Sequence, residues 1–244
     1  MFEYEKLNDL DIIVYCGGKC GSSTLHTTFK NNGYKSYKIH DNNYFKFLCN
    51  TFKKDTNKTI FDVIDFNVKQ RKNIYIIDSY RTPIERKISA FFQNIGKYIS
   101  NYTKKTVEEL ISIFNEKILY NLEEYHSIDE ALDHYNVPTF NHFDFEKKYN
   151  IVKKDNITFV KLRFNDIHDW TTILSEIFEK NITIYNNNLT SDKIINKLYN
   201  EFKEQYKVPE KYLNLYLLND SAFKIYNSKE EQNKYINYWK NKVI

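Results

Sequence analysis

A short glycine-rich segment is the part of this 244-residue sequence with the clearest chemistry. Residues 17–24 read GGKCGSST and hold three of the five glycines in the chain. Glycines allow positive φ angles and let backbone amides approach a ligand closely. Lys19 adds a positive charge, while Ser22, Ser23 and Thr24 add hydroxyl donors. This combination is suited to binding an anion such as a phosphate group.

The elements on either side of this segment would position it. Residues 11–16, DIIVYC, form an apolar, β-branched run that predicts a buried strand. Residues 25–32 predict a helix that ends at Gly33, a natural C′ residue. The segment would therefore lead into a helix N-terminus, where backbone N–H groups and the helix dipole favour an anion. The alternative is a tight strand-to-helix turn, capped by the serines, that binds no ligand.

The order of residues in the segment decides which anion-binding loop it could be. A Walker A loop has a lysine after its last glycine, followed by Ser or Thr. Here Lys19 precedes Gly21, and Cys20 follows the lysine. The sequence therefore lacks the Walker A motif. A nucleotide-dependent kinase, which would also need a Mg²⁺ ligand, is left as a rival interpretation.

A second strand-to-helix junction lies further along the chain. Residues 73–80, NIYIIDSY, predict a strand, and residues 81–95 predict a helix. Thr82 at the N-cap, Pro83 at the first helical position and Glu85 at the third predict a capping box. This junction would give the sheet a second strand end that is followed directly by a helix.

Two polar residues at this junction could lie in the same groove. Arg81 would end the strand and offers a bidentate guanidinium. Ser89 lies eight positions later, about two helical turns, so both side chains could point into one groove. Taken alone, these residues are better interpreted as a surface loop residue (Arg81) and a helix-face residue (Ser89).

The remaining pattern predicts the fold class. Further strands are expected at residues 34–40 and 157–164. Alternation of strands and helices predicts an α/β fold with a parallel central sheet flanked by helices, a strand–loop–helix of the P-loop type and a helical C-terminal third. We expect one domain over residues 1–244. Further helices are expected near residues 58–70, near 167–179, where Asn165 or Asp166 would be the cap, and at the C-terminus, where Ser228 and Glu231 would be the cap. Another helix is expected at residues 106–121, with a capping box formed by Thr106 and Glu109. Its apolar stripe would consist of Val107, Leu110, Ile111, Phe114 and Ile118.

Composition and charge exclude several classes of protein. The net charge of +4 fits an anionic ligand, but the basic residues are interleaved with acids, so we expect no nucleic-acid partner. The three cysteines, Cys16, Cys20 and Cys49, lack a zinc-site spacing, and we expect reduced thiols and no metal. No apolar run of 18 residues occurs, so we expect no membrane span and a cytoplasmic location.

The sequence resembles the P-loop sulfotransferase superfamily. More narrowly, it is similar to the sulfotransferase-like group of capsular polysaccharide synthesis proteins. The motifs that carry the resemblance are GGKCGSSTL (residues 17–25), RTPIERKISAFFQN (81–94), FVKLRFNDI (159–167) and, more loosely, the stretch from LYNEF to NSKEE (198–231). One departure is RTP at residues 81–83, where RDP is common in the superfamily.

The resemblance implies a function and a set of site residues. It implies transfer of a sulfuryl group from 3′-phosphoadenosine 5′-phosphosulfate (PAPS) to a hydroxyl, on a glycan or polysaccharide of capsule biosynthesis, without a metal. Arg81 and Ser89 would bind the 3′-phosphate of the donor. The residues that would bind its 5′-phosphosulfate are Gly18, Lys19, Gly21, Ser22, Ser23 and Thr24. The alternative is a non-catalytic relative that binds a nucleotide or a glycan.

Catalysis would need a cation and a base. Lys19 would neutralise the leaving phosphate, by analogy with phosphoryl transfer. His40 is the first candidate for the base, because it would lie at the carboxyl end of the second strand, beside the glycine-rich segment. Asp41 is the second candidate, and a loop histidine without a catalytic role is the alternative for His40. His26 lies within the first predicted helix, and its side chain is expected to pack against other residues rather than to act in catalysis.

Overall fold

The computed structural model describes residues 7–54, 57–70, 72–121, 127–185 and 193–242. The chain divides into two compact units. The first unit comprises Met1–Tyr80 and Tyr125–Asn188, and the second comprises Arg81–Glu124 and Leu189–Ile244. The expectation of a single domain over residues 1–244 stays a prediction.

The first unit is built on a mostly parallel sheet. In the part of the chain that the structure describes, this sheet has five strands in the order β2-β1-β3-β5-β4. All neighbours pair in parallel except β4, which runs antiparallel to β5 at one edge. The four predicted strands are confirmed, whereas β4 was not predicted. The strands are β1 (Ile12–Tyr15), β2 (Ser36–Ile39), β3 (Ile74–Tyr80), β4 (Asn150–Lys154) and β5 (Ile157–Arg163).

Helices cover both faces of this sheet. Successive residues of a strand point to opposite faces, so Ile13 and Ile76 pack in one apolar cluster while Ile12 and Ile77 pack in another. The first cluster includes side chains of α2, α3 and α7, and the second includes side chains of α1 and α8. The α/β class with a helix-flanked central sheet is thereby confirmed. These helices are α1 (Ser22–Asn31), α2 (Asn42–Thr51), α3 (Ile60–Lys69), α7 (Ser127–His134) and α8 (Trp170–Ile177), the last preceded by a 3₁₀ segment (Phe164–Asp169).

The second unit is helical, and its core is rich in aromatic rings. Phe91, Phe114 and Phe202 pack against one another with ring centroids 5.5–6.1 Å apart. The predicted capping boxes of α6 and α12 and the predicted apolar stripe of α6 are confirmed. The helices are α4 (Pro83–Gln93), α5 (Ile95–Tyr98), α6 (Val107–Phe114, continued by a π-helical turn, Asn115–Leu119), α9 (Lys193–Gln205), α10 (Glu210–Leu215), α11 (Ser221–Ile225) and α12 (Lys229–Lys240).

The predicted capping box at the start of α4 is wrong. Pro83 does begin the helix, but Thr82 makes no side-chain cap bond. The Tyr235 hydroxyl takes its place: it donates to Glu85 Oε2 at 2.6 Å and accepts from the Ile84 backbone N–H at 3.3 Å. A side chain 150 positions away in the sequence therefore holds the first turn of α4.

We expect Tyr235→Phe to lower the free energy of unfolding by about 1–2 kcal/mol, because it leaves Glu85 and Ile84 without this hydroxyl. Tyr238→Phe is the matched control, because Tyr238 is exposed on the same helix, and its effect should stay within about 0.5 kcal/mol. Urea unfolding of both variants measures the difference. Equal stabilities for the two variants would contradict this role of Tyr235.

Candidate anion-binding site

The glycine-rich loop joins the end of β1 to the start of α1. Lys19 and Gly21 have φ angles of 69° and 92°, so both adopt the left-handed backbone. Gly21 is the N-cap of α1 and has no side chain to accept from the first amides, and the first turn contains no acidic residue. Ser22 and Thr24 are buried in that turn, and Ser23 is half-buried. The ten-residue helix therefore begins at a glycine N-cap and has three hydroxyl residues in its first turn. Helix N-termini favour anions because their first backbone N–H groups and the helix dipole point toward the ligand.

Gly21 is also required by packing. A Cβ atom at this position would lie 2.7 Å from Cη2 of Trp170 and 3.1 Å from Cδ2 of Phe164. The Trp170 ring is itself fixed, because its Nε1–H donates to the carbonyl oxygen of Arg163 at 3.1 Å. Gly18 differs, since a Cβ there would meet nothing within 4 Å. The sequence contained no sign of the Trp170 contact, which joins the loop to the end of β5.

A second lysine reaches the loop. Lys38 lies on β2, and its Nζ donates to the Ser23 hydroxyl at 3.0 Å. Burial lowers the pKa of Lys38, and its interaction with Cys16 opposes this shift. Sequence reasoning missed this residue, although it lies within the predicted strand that leads to His40.

His40 is held against the first residue of the loop. Its Nδ1 lies 2.8 Å from the carbonyl oxygen of Cys16. A carbonyl oxygen can only accept a hydrogen bond, so Nδ1 of His40 is the donor in this contact. Asp41, the second candidate for a base, is the N-cap of α2 and accepts from the Tyr44 backbone N–H at 2.6 Å.

A carboxylate supports the turn that carries His40. Glu130 Oε2, on α7, accepts from the Tyr15 hydroxyl and, at 3.4 Å, from the Asn42 backbone N–H. Burial raises the pKa of Tyr15, and the bond to Glu130 raises it further. One side chain thus connects the end of β1 to the residues that follow β2.

The second basic element lies in the second unit. Arg81 lies just before the N-cap residue of α4, and Ser89 lies on α4; both are half-buried. Lys87, on the same helix, donates to the carbonyl oxygens of Ile118 and Asn121. The glycine-rich loop belongs to the first unit, and convergence of the loop with Arg81 stays a prediction.

The expected role of Asn165 or Asp166 as cap of the next helix is wrong. Asp166 instead accepts two hydrogen bonds from Arg163, at 2.7 and 2.9 Å. The Arg163 guanidinium also lies over the rings of Phe143 and Phe145, at 5.0 and 5.1 Å. This buried pair forms in preference to a helix cap, and α8 begins after Asp169.

Three further findings concern the predictions from composition. Cys16, Cys20 and Cys49 are buried thiols. Within the described ranges, no group of three or more His, Cys, Asp or Glu side chains is arranged to hold a metal ion, and a metal-free reaction stays a prediction. None of the helices in those ranges has the length and hydropathy to cross a membrane.

Comparison of the chain with protein families, with curated proteins and with solved structures finds no match. The resemblance to sulfotransferases therefore depends on the sequence motifs alone.

We expect Gly21→Ala to destabilise the protein by about 1–3 kcal/mol, because the new Cβ would meet Trp170 and the residue would hold a strained positive φ. Gly18→Ala, on the same loop, should change the free energy of unfolding by less than about 0.5 kcal/mol. Thermal and urea unfolding measure both. If the two alanine variants were equally stable, the contact with Trp170 would not constrain the loop.

His26 predicts a component of the pH dependence of stability. Burial lowers its pKa from 6.5 to about 4, helped by the charges of Lys30 and Lys38, and its Nδ1 lies 3.1 Å from the Ser36 hydroxyl. Between pH 6.5 and about pH 4, His26 binds a proton in the unfolded chain but not in the folded chain. The free energy of unfolding therefore falls as the pH falls from 6.5 to about 4.

His26→Gln should therefore lose less stability than the wild type over this pH range, while His168→Gln, at an exposed position, should follow the wild type. Urea unfolding at several pH values gives the comparison. A His26→Gln variant with the wild-type pH dependence would contradict the neutral, buried state of this histidine.

Proposed function

We propose that this chain is a sulfotransferase that transfers the sulfuryl group of PAPS to a hydroxyl of a glycan or polysaccharide. The observation that carries the proposal is one arrangement at the start of α1. A glycine-capped helix N-terminus has Lys19 in its loop, Lys38 hydrogen-bonded to its first turn, and His40 bonded to the carbonyl of Cys16. Anion binding, charge neutralisation and proton removal are the three tasks that this reaction requires.

The reaction would proceed by in-line displacement at sulfur. The oxygen of the acceptor hydroxyl forms a bond to sulfur while the bond from sulfur to the 5′-phosphate oxygen breaks. The hydroxyl proton passes to Nε2 of His40. The electron pair of the broken bond stays on the phosphate oxygen, where Lys19 and Lys38 stabilise the negative charge. The products are the sulfate ester and 3′-phosphoadenosine 5′-phosphate.

The strand order supports binding at this edge of the sheet. β1 lies between β2 and β3 in the sheet. After β1, the chain adds β2 on one side of it and then crosses over to add β3 on the other side. Open α/β sheets bind ligands at the carboxyl ends of strands where the order reverses in this way. The glycine-rich loop and His40 follow the carboxyl ends of β1 and β2, and Arg81 follows β3.

The remaining assignments of the proposal concern the donor and the location. Gly18, Gly21, Ser22, Ser23 and Thr24 would bind the 5′-phosphosulfate with Lys19. Arg81 and Ser89 would bind the 3′-phosphate, with the guanidinium as a bidentate donor. We further propose that no metal takes part and that the protein acts in the cytoplasm, where its buried thiols would stay reduced.

A nucleotide-binding experiment tests the class of the protein. We expect 3′-phosphoadenosine 5′-phosphate to raise the melting temperature and ATP with Mg²⁺ to leave it unchanged. Transfer of radiolabel from [³⁵S]PAPS to a panel of glycan, phenol and peptide acceptors then tests the reaction. A shift with ATP and Mg²⁺ alone would support a kinase, and a bisphosphate shift without transfer to any acceptor would support a non-catalytic relative.

Lys19→Ala should lower turnover by roughly 10²–10³-fold, the usual effect of losing one group that stabilises developing charge. Lys30→Ala is the control, because Lys30 is an exposed lysine in the last turn of α1, the helix that follows the loop. Steady-state transfer rates at saturating PAPS measure both. Unchanged turnover in Lys19→Ala would remove the proposed mechanism.

His40→Ala should lower turnover by roughly 10²–10⁴-fold, because the variant lacks the group that removes the proton of the acceptor hydroxyl. His168→Ala, at an exposed position, should retain the wild-type rate. Steady-state transfer rates measure both, and an unchanged thermal shift by 3′-phosphoadenosine 5′-phosphate separates loss of a base from a structural effect. If His40→Ala kept the wild-type rate, another group would be the base.

A further inference from the structure

Two exposed aromatic rings lie next to the candidate base. Tyr44 and Phe47, both on α2, are 40% and 59% exposed. Their ring centroids are 6.1 Å apart, and the ring planes are nearly parallel, at 20°. The Tyr44 ring is in turn 5.3 Å from the His40 ring. We call the pair Tyr44 and Phe47 the aromatic platform.

Local structure fixes the platform relative to His40. Asp41 caps α2 through the backbone N–H of Tyr44, so the first turn of the helix follows His40 directly. Residues three apart lie on one face of a helix, which places Phe47 beside Tyr44. The opposite face of α2 packs in the apolar core through Phe45 and Cys49. The platform therefore starts at the candidate base and extends along the exposed face of the helix.

We infer that the aromatic platform binds a sugar ring of the acceptor and presents one of its hydroxyls to His40. This inference depends on the proposed function, since the acceptor would be the one that receives the sulfuryl group. The apolar C–H face of a pyranose ring would stack on Tyr44 and Phe47, while the hydroxyls at the ring edge remain outside the contact.

The openness of the platform favours a saccharide over a phenol. Small apolar ligands gain affinity in enclosed pockets that bury most of their surface. Around half of the Phe47 side chain remains in water, which suits a ligand whose hydroxyls must stay hydrated or hydrogen-bonded. The platform is bordered by exposed polar side chains of the same helix that could pair with those hydroxyls: Asn43, Lys46 and Asn50.

The test measures saccharide binding without turnover. Cellohexaose and N-acetylchitohexaose are the saccharide probes, p-nitrophenol is the phenol probe, and saturation-transfer NMR with titration gives the affinities. We expect at least one saccharide to bind the wild type and to lose about tenfold or more in affinity in Tyr44→Ala/Phe47→Ala. Phe66→Ala is the matched control, because Phe66 is 43% exposed on α3, and it should bind as the wild type does.

The thermal shift by 3′-phosphoadenosine 5′-phosphate is measured on the same variants. An unchanged shift in Tyr44→Ala/Phe47→Ala shows that the variant is folded and that the donor site is intact. Absence of the shift in the wild type would overturn the proposed function, and the saccharide titrations would report on the platform separately. The inference is overturned if the wild type binds neither saccharide, if the double variant binds them as well as the wild type, or if only p-nitrophenol depends on the platform.

Discussion

The turn from β1 into α1 is the constraint on which the candidate site depends. The chain reverses over the few residues of the glycine-rich loop, with Lys19 and Gly21 in the left-handed conformation. Trp170 packs so closely against Gly21 that no other residue fits without displacement. His40 bonds to the carbonyl oxygen of Cys16 at the start of the loop. These contacts hold the loop from α8 and from the turn after β2, so the first amides of α1 have a defined position before any ligand binds.

The electrostatics of this region favour an anion. The helix dipole places partial positive charge at the start of α1, and the first turn contains no acidic residue. Lys38 adds a cation whose burial lowers its pKa. A bound anion beside Lys38 would favour its charged form and offset that cost. The fold thus concentrates positive charge that a phosphate or phosphosulfate group would neutralise, and the proposed transfer reaction uses the same charges to stabilise the leaving group.

Local signals in the sequence predicted much of the fold, and distant contacts explain what they missed. Thr106 and Glu109 are three positions apart, so their capping box is a local property and is confirmed. The capping box at Thr82 has the same pattern but gives way to the Tyr235 hydroxyl, which no local signal could place there. Likewise, the glycine pattern predicted the conformation of the loop but could not indicate Trp170. The antiparallel edge strand β4 was missed because two of its five residues are exposed lysines and it lacks a buried apolar run.

In the proposed reaction, Lys19 and Arg81 would bind opposite ends of one nucleotide bisphosphate. Isothermal titration calorimetry of Lys19→Ala and Arg81→Ala with 3′-phosphoadenosine 5′-phosphate and with adenosine 5′-phosphate tests these two roles. We expect Lys19→Ala to weaken binding of both nucleotides and Arg81→Ala to weaken only the bisphosphate, by about tenfold or more. Wild-type affinity of Arg81→Ala for the bisphosphate would be inconsistent with the proposed donor site.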